Sequence, residues 1–166
     1  MARFTVNTTK FDPFLSHMFK VKIDGQYVAG LNKCSALKRS VEVTSWYEGG
    51  DPSGPHQIPA KMKHDPITLE AGITFDTTFE EWANKVNNLP FAATMSLATF
   101  RKDITIDVFN QQGQKVLAYN VFRCWVSEYQ ALPQLDAATN AVMISSIKLE
   151  NEGWFRDTSV TEVKET

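Results

Sequence analysis

Three histidines, two cysteines and a scatter of carboxylates are the side chains with which this sequence could do chemistry. His17, His56 and His64 form no i, i+4 pair and no His-Glu-x-x-His run. His56 and His64 fall near one loop, but two ligands without a third do not make a zinc site, so they read as surface histidines. Cys34 and Cys124 lack the spacing of a disulfide framework or a metal knuckle and read as reduced cysteines. No histidine lies near Cys124 in the sequence, and Trp125 beside it indicates packing rather than an activated nucleophile. Glu42, Glu70, Asp103 and Asp107 could supply the paired carboxylates of general acid-base catalysis. All four stand at the polar phase of alternating segments, where a solvated strand face accounts for them. Gly49, Gly50 and Gly54 suggest a phosphate cradle, yet no Gly-Lys-Ser/Thr follows and no helix starts there. Trp46, Trp82, Trp125 and Trp154 have no basic interleaving that would stack on bases. No catalytic residue, metal site or cofactor is expected. The clean polar strand faces fit either a monomeric sandwich or a chain whose strand edges pair with copies of itself.

The bulk composition fits either. With 166 residues, 43% hydrophobic and 22% charged, the chain suits one domain around one core. The formal charge of -2 comes from 17 basic and 19 acidic side chains with no basic run, so it gives no footprint for nucleic acid. The start, Met1-Ala2-Arg3-Phe4-Thr5-Val6-Asn7, has no apolar core of a secretory signal. No stretch approaches the roughly 18 apolar residues of a spanning helix, and no membrane insertion is expected. The chain is expected to be made and kept in the cytosol unless it leaves inside a larger particle.

The elements that must position these residues are mostly strands. Residues 1–15 read as an extended arm whose few aromatics dock elsewhere. Met18-Phe19-Lys20-Val21-Lys22-Ile23-Asp24 alternates as a half-buried strand, and Ser40-Val41-Glu42-Val43-Thr44-Ser45-Trp46 does the same. Residues 47–59 hold three of the eight glycines and three of the seven prolines, which predicts a long loop without a ladder. Residues 67–75 place Ile67, Leu69, Ala71, Ile73 and Phe75 on one face of a strand. A helix follows, with Thr77 as cap, Glu80 as its partner, and Phe79, Trp82, Ala83 and Val86 as the apolar stripe; Leu89-Pro90 ends it. Ile104, Ile106 and Val108 alternate before Asn110-Gln111-Gln112-Gly113, a hairpin turn, and residues 115–126 return. Residues 133–140 connect to a last strand over 141–150, and residues 155–166 read as a tail. The order predicts a mainly β fold, two packed antiparallel sheets forming a small barrel or sandwich with one flanking helix, rather than α/β.

Three stretches carry a family resemblance: Glu48-Gly49-Gly50-Asp51 followed by Ile58-Pro59-Ala60-Lys61; Ile67 to Ile73 leading to the helix with Glu81-Trp82; and Asn140-Ala141-Val142-Met143-Ile144 running to Leu149-Glu150-Asn151-Glu152-Gly153. In that order they resemble the tail-tube proteins of contractile phage tails and of phage-tail-like extracellular contractile injection systems. The resemblance spans about residues 13–154. It implies hexameric rings stacked into a hollow tube inside a contractile sheath, with baseplate and tube-initiating or tube-terminating proteins as further partners. It also implies a protein cargo in the lumen, or DNA in a phage, and assembly in the bacterial cytoplasm before release in a particle.

Carried onto this sequence, the resemblance makes Glu48, Gly49, Gly50, Asp51, Pro52, Gly54, Pro55, Ile58 and Pro59 the inter-subunit or inter-ring loop. Glu42, Thr44, Thr68 and Glu70 become candidates for the lumen. Glu80, Glu81 and Lys85 become the sheath-facing side of the helix. Two other readings stay open: a monomeric ligand-binding β-barrel with residues 47–59 as its lid, and an enzyme using the carboxylates above.

Overall fold

In the computed structural model, which describes residues 13–50, 52–86 and 99–161, the alternating segments become ten strands around one helix. They are β1 (Phe19–Ile23), β2 (Gln26–Tyr27), β3 (Leu31–Cys34), β4 (Arg39–Trp46), β5 (His56–His64), β6 (Ile67–Gly72), α1 (Thr78–Val86), β7 (Lys102–Phe109), β8 (Lys115–Gln130), β9 (Ile144–Glu150) and β10 (Gly153–Arg156). Eight strands pair antiparallel in the order β2-β1-β7-β8-β9-β6-β3, with β10 added to β8; β4 and β5 form a separate two-stranded sheet. The larger path stays open at β2 and β3, so no barrel closes among the described residues.

The long strand β8 explains how one path makes two packed layers. Its first half pairs with β7 and β10, and its second half pairs with β9. Between them Arg123 adopts a φ of 51°; the register with β7 shifts across it, between Val121 and Cys124, and the register with β9 shifts just beyond it, between Val126 and Glu128. Such a bulge bends a strand and lets it leave one sheet for the next. Asp103 supports the bend by accepting the Arg123 backbone N–H at 2.8 Å.

The core lies between the layers. Val21 and Ile23 from β1, Ile67, Leu69 and Ala71 from β6, Ile104 and Ile106 from β7, Val121, Cys124 and Val126 from β8, and Ile147 and Leu149 from β9 meet Phe79, Trp82 and Ala83 from the helix. Each fully buried Ile or Leu contributes about 1.5–3 kcal/mol relative to exposure. Trp82 is fully buried, and its indole N–H donates to the Phe100 carbonyl at 2.8 Å.

The structure corrects several sequence expectations. The strand over 67–75 stops at Gly72, and Phe75 is fully exposed. Thr77 holds the N-cap position as expected, its carbonyl accepting the Glu81 N–H at 2.9 Å. Its hydroxyl, however, donates to the Glu81 carboxylate at 2.8 Å, and it is Asp76 Oδ1 that accepts the Thr78 N–H at 3.0 Å. The last predicted strand starts at Ile144 rather than 141, and a further strand, β10, takes in Phe155 and Arg156 of the expected tail. The Asn110 turn forms as expected, with the Gly113 N–H on the Asn110 carbonyl at 3.0 Å. Leu89-Pro90 and most of the arm lie outside the described residues.

Asp107 departs furthest from its expected solvated place. It is on the polar phase of β7, yet it is fully buried. Tyr27 donates its hydroxyl to Oδ2 at 3.0 Å, Lys22 Nζ stands 3.5 Å from the same oxygen, and Lys115 Nζ stands 3.8 Å from Oδ1. Short β2 folds back beside β1 and drops Tyr27 over the carboxylate. Long Lys stems and an aromatic ring close over the polar face, which alternation alone does not register.

Candidate self-assembly surfaces

Residues 47–59 do not form one loop. The ladder resumes at His56, so the irregular tip covers 47–55, and Ile58 and Pro59 lie inside β5. Thr44 faces Ile58, Val43 faces Pro59, and Val41 faces Met62. Proline was expected to exclude a ladder, but here it stands on an edge strand next to a bulge, where Ala60 and Lys61 oppose Glu42 and a missing N–H costs little. At the tip Gly50 and Gly54 have φ of 91° and 102°, left-handed values that other residues resist. Glu48, Gly49 and Pro52 are exposed there with Pro55; Asp51 lies outside the described residues.

The resulting hairpin is apolar and uncovered. Every residue of β4 is exposed, and so is β5 up to His64, which is half-buried. Val43 is 64% exposed and Tyr47 72%, with Val41, Trp46, Ile58 and Met62 also open to solvent. Trp46 and His56 put their rings 6.0 Å apart across the ladder, and Ser45 Oγ donates to Gln57 at 3.2 Å. Cross-strand neighbours share a face. Val41, Val43, Met62 and Pro59 therefore occupy one side, and Glu42, Thr44, Trp46, Ile58 and His56 the other. Among the described residues no strand pairs with either outer edge of this two-stranded ribbon, so both faces and both edges invite a partner.

The candidate lumen residues separate into two places. Thr68 and Glu70 lie together on β6, opposite its buried Ile67, Leu69 and Ala71. Lys148 and Ser146 of β9 stand across from them, and Lys33 of β3 holds Glu70 at 2.9 Å. This face is polar, and its Glu70 carboxylate is paired with Lys33. Glu42 and Thr44 belong to the hairpin and not to that sheet.

The candidate sheath-facing residues Glu80, Glu81 and Lys85 all lie on the exposed side of α1. The acidic pair sits in the first turn and the lysine in the last, the arrangement the helix dipole favours.

Chemistry of other kinds finds little support. No group of three His, Cys, Asp or Glu suited to a metal occurs among the described residues. A groove of about 360 Å³ runs beside the helix start, lined by residues such as Val28, Phe75, Phe79 and Tyr129. No residue of 47–59 lines it, so the expected lid covers no pocket there.

Both cysteines are free thiols. Burial pushes Cys34 up to about 11 and Cys124 up to about 12 from the usual 9.0. Below about pH 8 both are protonated in the folded and the unfolded chain, and they add no pH dependence. From about 9 to 11 or 12 the unfolded chain sheds protons that the folded chain retains, so stability falls as pH rises, by up to about 1.4 kcal/mol per pH unit per thiol. Urea unfolding at pH 8 and pH 10 is expected to show a lower midpoint at pH 10. The drop is expected to shrink in a Cys124→Ala variant compared with its own pH 8 value; an unchanged drop counts against thiol ionisation as its cause.

None of the curated proteins matches the chain significantly. Solved structures share its fold. A chain of the anti-feeding prophage baseplate is 20% identical with a TM-score of 0.74, covering 89% of this chain and 97% of that one. A chain of the sheath-tube complex of PVC, an extracellular contractile injection system, is 22% identical with a TM-score of 0.71, covering 87% and 91%. Hcp1 from Flavobacterium johnsoniae is 14% identical with a TM-score of 0.54, covering 89% and 99%. The sequence profile of the T4-like virus tail tube protein gp19 matches residues 15–155, from before β1 into β10, and the chain therefore belongs to that tail tube family as a structural subunit of an inner tube.

Proposed function

We propose that six copies close into a ring, that rings stack into the inner tube of a contractile injection particle, and that the β4–β5 hairpin packs on a neighbouring copy. One observation carries this: the hairpin exposes Val41, Val43, Trp46, Tyr47, Ile58 and Met62 while the body beneath it has a closed apolar core. A subunit gains by burying such a surface against an identical partner, at about 25 cal/mol per Å² of apolar area removed from water. A stable ring multiplies the same contact by symmetry. In this arrangement the Thr68–Glu70 face lines the lumen, where its mixed charges let a protein cargo pass without adhering. The Glu80–Glu81–Lys85 side of α1 meets the sheath. Baseplate and tube-terminating proteins cap the two ends, as supported by the similar chains from baseplate, sheath-tube and cap assemblies. The particle assembles in the cytoplasm and is released with its tube inside. No step requires a catalytic residue.

The T4-like family match also suits a phage virion, with DNA as cargo. Sheath, baseplate and ATPase genes beside this one without capsid genes favour the injection particle, and capsid genes favour the virion. Negative-stain microscopy of the chain expressed with its neighbouring genes is expected to show stacked rings or sheathed rods. A monomer that persists under all assembly conditions overturns the tube reading.

A further inference from the structure

The β9–β10 junction, residues 151–154 (the turn 151–152 and the first two residues of β10), takes part in none of the surfaces above, yet it gathers contacts from three parts of the chain. Asn151 Nδ2 donates to the Asp65 carbonyl at 3.0 Å. Asp65 follows β5, and its own N–H donates to the Lys38 carbonyl just before β4 at 3.0 Å, with Lys38 Nζ 3.6 Å from its carboxylate. The root of the hairpin is thus closed by Lys38 and Asp65, and Asn151 holds that closure to the body. Gly153 has a φ of 147°, and a Cβ there would stand 3.7 Å from the His64 ring, so the last residue of β5 lies directly against the junction. The Arg39 guanidinium, from the first residue of β4, stands 5.7 Å over the ring of Trp154. On its other side the junction is fixed to the bend of β8. The Glu152 N–H donates to the Phe122 carbonyl at 3.2 Å, and the Glu152 carboxylate meets Arg123 at 3.2 Å and Arg101 at 3.4 Å. Trp154 meets Tyr119 of β8 edge-on at 5.9 Å.

We infer that the 151–154 junction is the bearing that sets the angle of the β4–β5 hairpin to the body, with Asn151 and Arg39 as its positioning residues. The hairpin is otherwise joined through the short connections that flank it, and backbone connections alone leave its direction soft. The junction touches both strands of the root, Arg39 on one and His64 on the other, and is itself tied to the β8 bulge. An assembly that repeats one contact around a ring needs that direction fixed, because an angular error recurs at every interface. For its consequence in assembly the inference rests on the tube reading; the angle itself does not.

Two nitroxide labels on the full-length chain, carried by Gln57→Cys on the hairpin and Gln111→Cys on the distant β7–β8 turn, measure that angle. Cys124 is buried and Cys34 half-buried, and burial raises both thiols, so at pH 7 the exposed introduced cysteines react first. Labelled chain diluted into unlabelled chain is expected to give one narrow distance distribution. Asn151→Ala and Arg39→Ala are each expected to broaden or shift it while the urea midpoint of Arg39→Ala stays unchanged, and Arg39→Lys is expected to restore the narrow form. The same alanine variants are expected to raise the protein concentration needed for tubes by about five- to tenfold, the scale of one lost hydrogen bond. An unchanged distance distribution in Arg39→Ala and Asn151→Ala overturns the inference, whether or not tubes form. If Asn151→Ala fails to fold, the exposed Arg39 pair decides alone: broadening rescued by lysine supports the bearing, and no broadening overturns it. Absence of tubes from the unmodified chain overturns the tube reading and leaves the distance measurement as the test of the junction.

Discussion

A chain carrying Val43→Glu together with Ile58→Glu is expected to fold as well as the parent and to make no tubes. The two residues lie on opposite faces of the hairpin, since Val43 pairs with Pro59 and Ile58 with Thr44. Both are exposed in the isolated subunit, 64% and 47%, so a charge at either disturbs no internal packing. Surface changes of this kind shift stability by no more than about 0.5 kcal/mol. Assembly responds differently. Each side chain forfeits about 1.5–3 kcal/mol of apolar burial, and each new carboxylate must be desolvated without a partner. The concentration at which tubes appear rises at least about a hundredfold, which is beyond a practical range. Sedimentation and negative-stain microscopy of the pair of proteins, with urea unfolding as the folding control, make the comparison. Tubes of normal length at the parent's concentration refute the assignment of the hairpin as a contact surface. Removing residues 49–55 probes the same surface at its tip, where Trp46 still pairs with His56. Loss of stacking with an intact β-rich subunit is the expected outcome.

Trp82→Ala has the largest expected effect on the subunit itself. The side chain is fully buried between the helix and the sheets, and its loss opens a cavity at the centre of the apolar cluster. Replacing a buried Trp by Ala costs about 3–5 kcal/mol, and the Phe100 carbonyl loses the indole N–H it accepts at 2.8 Å. Against a total stability of about 5–15 kcal/mol for an ordinary domain, that change leaves the chain near its unfolding limit. Trp82→Phe keeps most of the packing and removes the hydrogen bond and part of the ring volume, so its loss is expected to be about 1–3 kcal/mol. Urea unfolding followed by circular dichroism measures both. A loss below about 1 kcal/mol in the alanine variant shows that α1 does not close the core.

The two experiments address parts of the chain that differ in how far the sequence discloses them. The core was legible because alternation over Ile67-Thr68-Leu69-Glu70 or Ile104-Thr105-Ile106 forces one face inward. The helix was legible for the same reason, with Phe79, Trp82 and Ala83 recurring at helical spacing and all three buried. The strand β5 was hidden by Pro59, because the rule that bars proline from a ladder does not know that this ladder has only two strands and a bulge. Phe75 continued the β6 alternation in sequence, yet the chain turns after Gly72 towards the helix start at Thr77 and leaves the ring in solvent. Asp107 looked like a solvated residue because burial of a polar face depends on what folds over it, and Tyr27 is 80 residues away.

The residues that could have done chemistry were scattered in the sequence, and the fold leaves them in separate roles. Asp103 braces a bulge, Glu70 pairs with Lys33, and His64 lies against Gly153. The sequence by itself determined the class of fold, the apolar faces, the position of the helix and the likeness to tail tubes. Those properties follow from local periodicity and from ordered motifs. Only the tertiary structure decided that the glycine-proline segment is the tip of an uncovered apolar hairpin, that β8 bends at Arg123 to serve two sheets, and that residues 151–154 clasp the root of that hairpin. Each of these depends on which distant segments meet, and a periodic pattern records only the inward side of a strand.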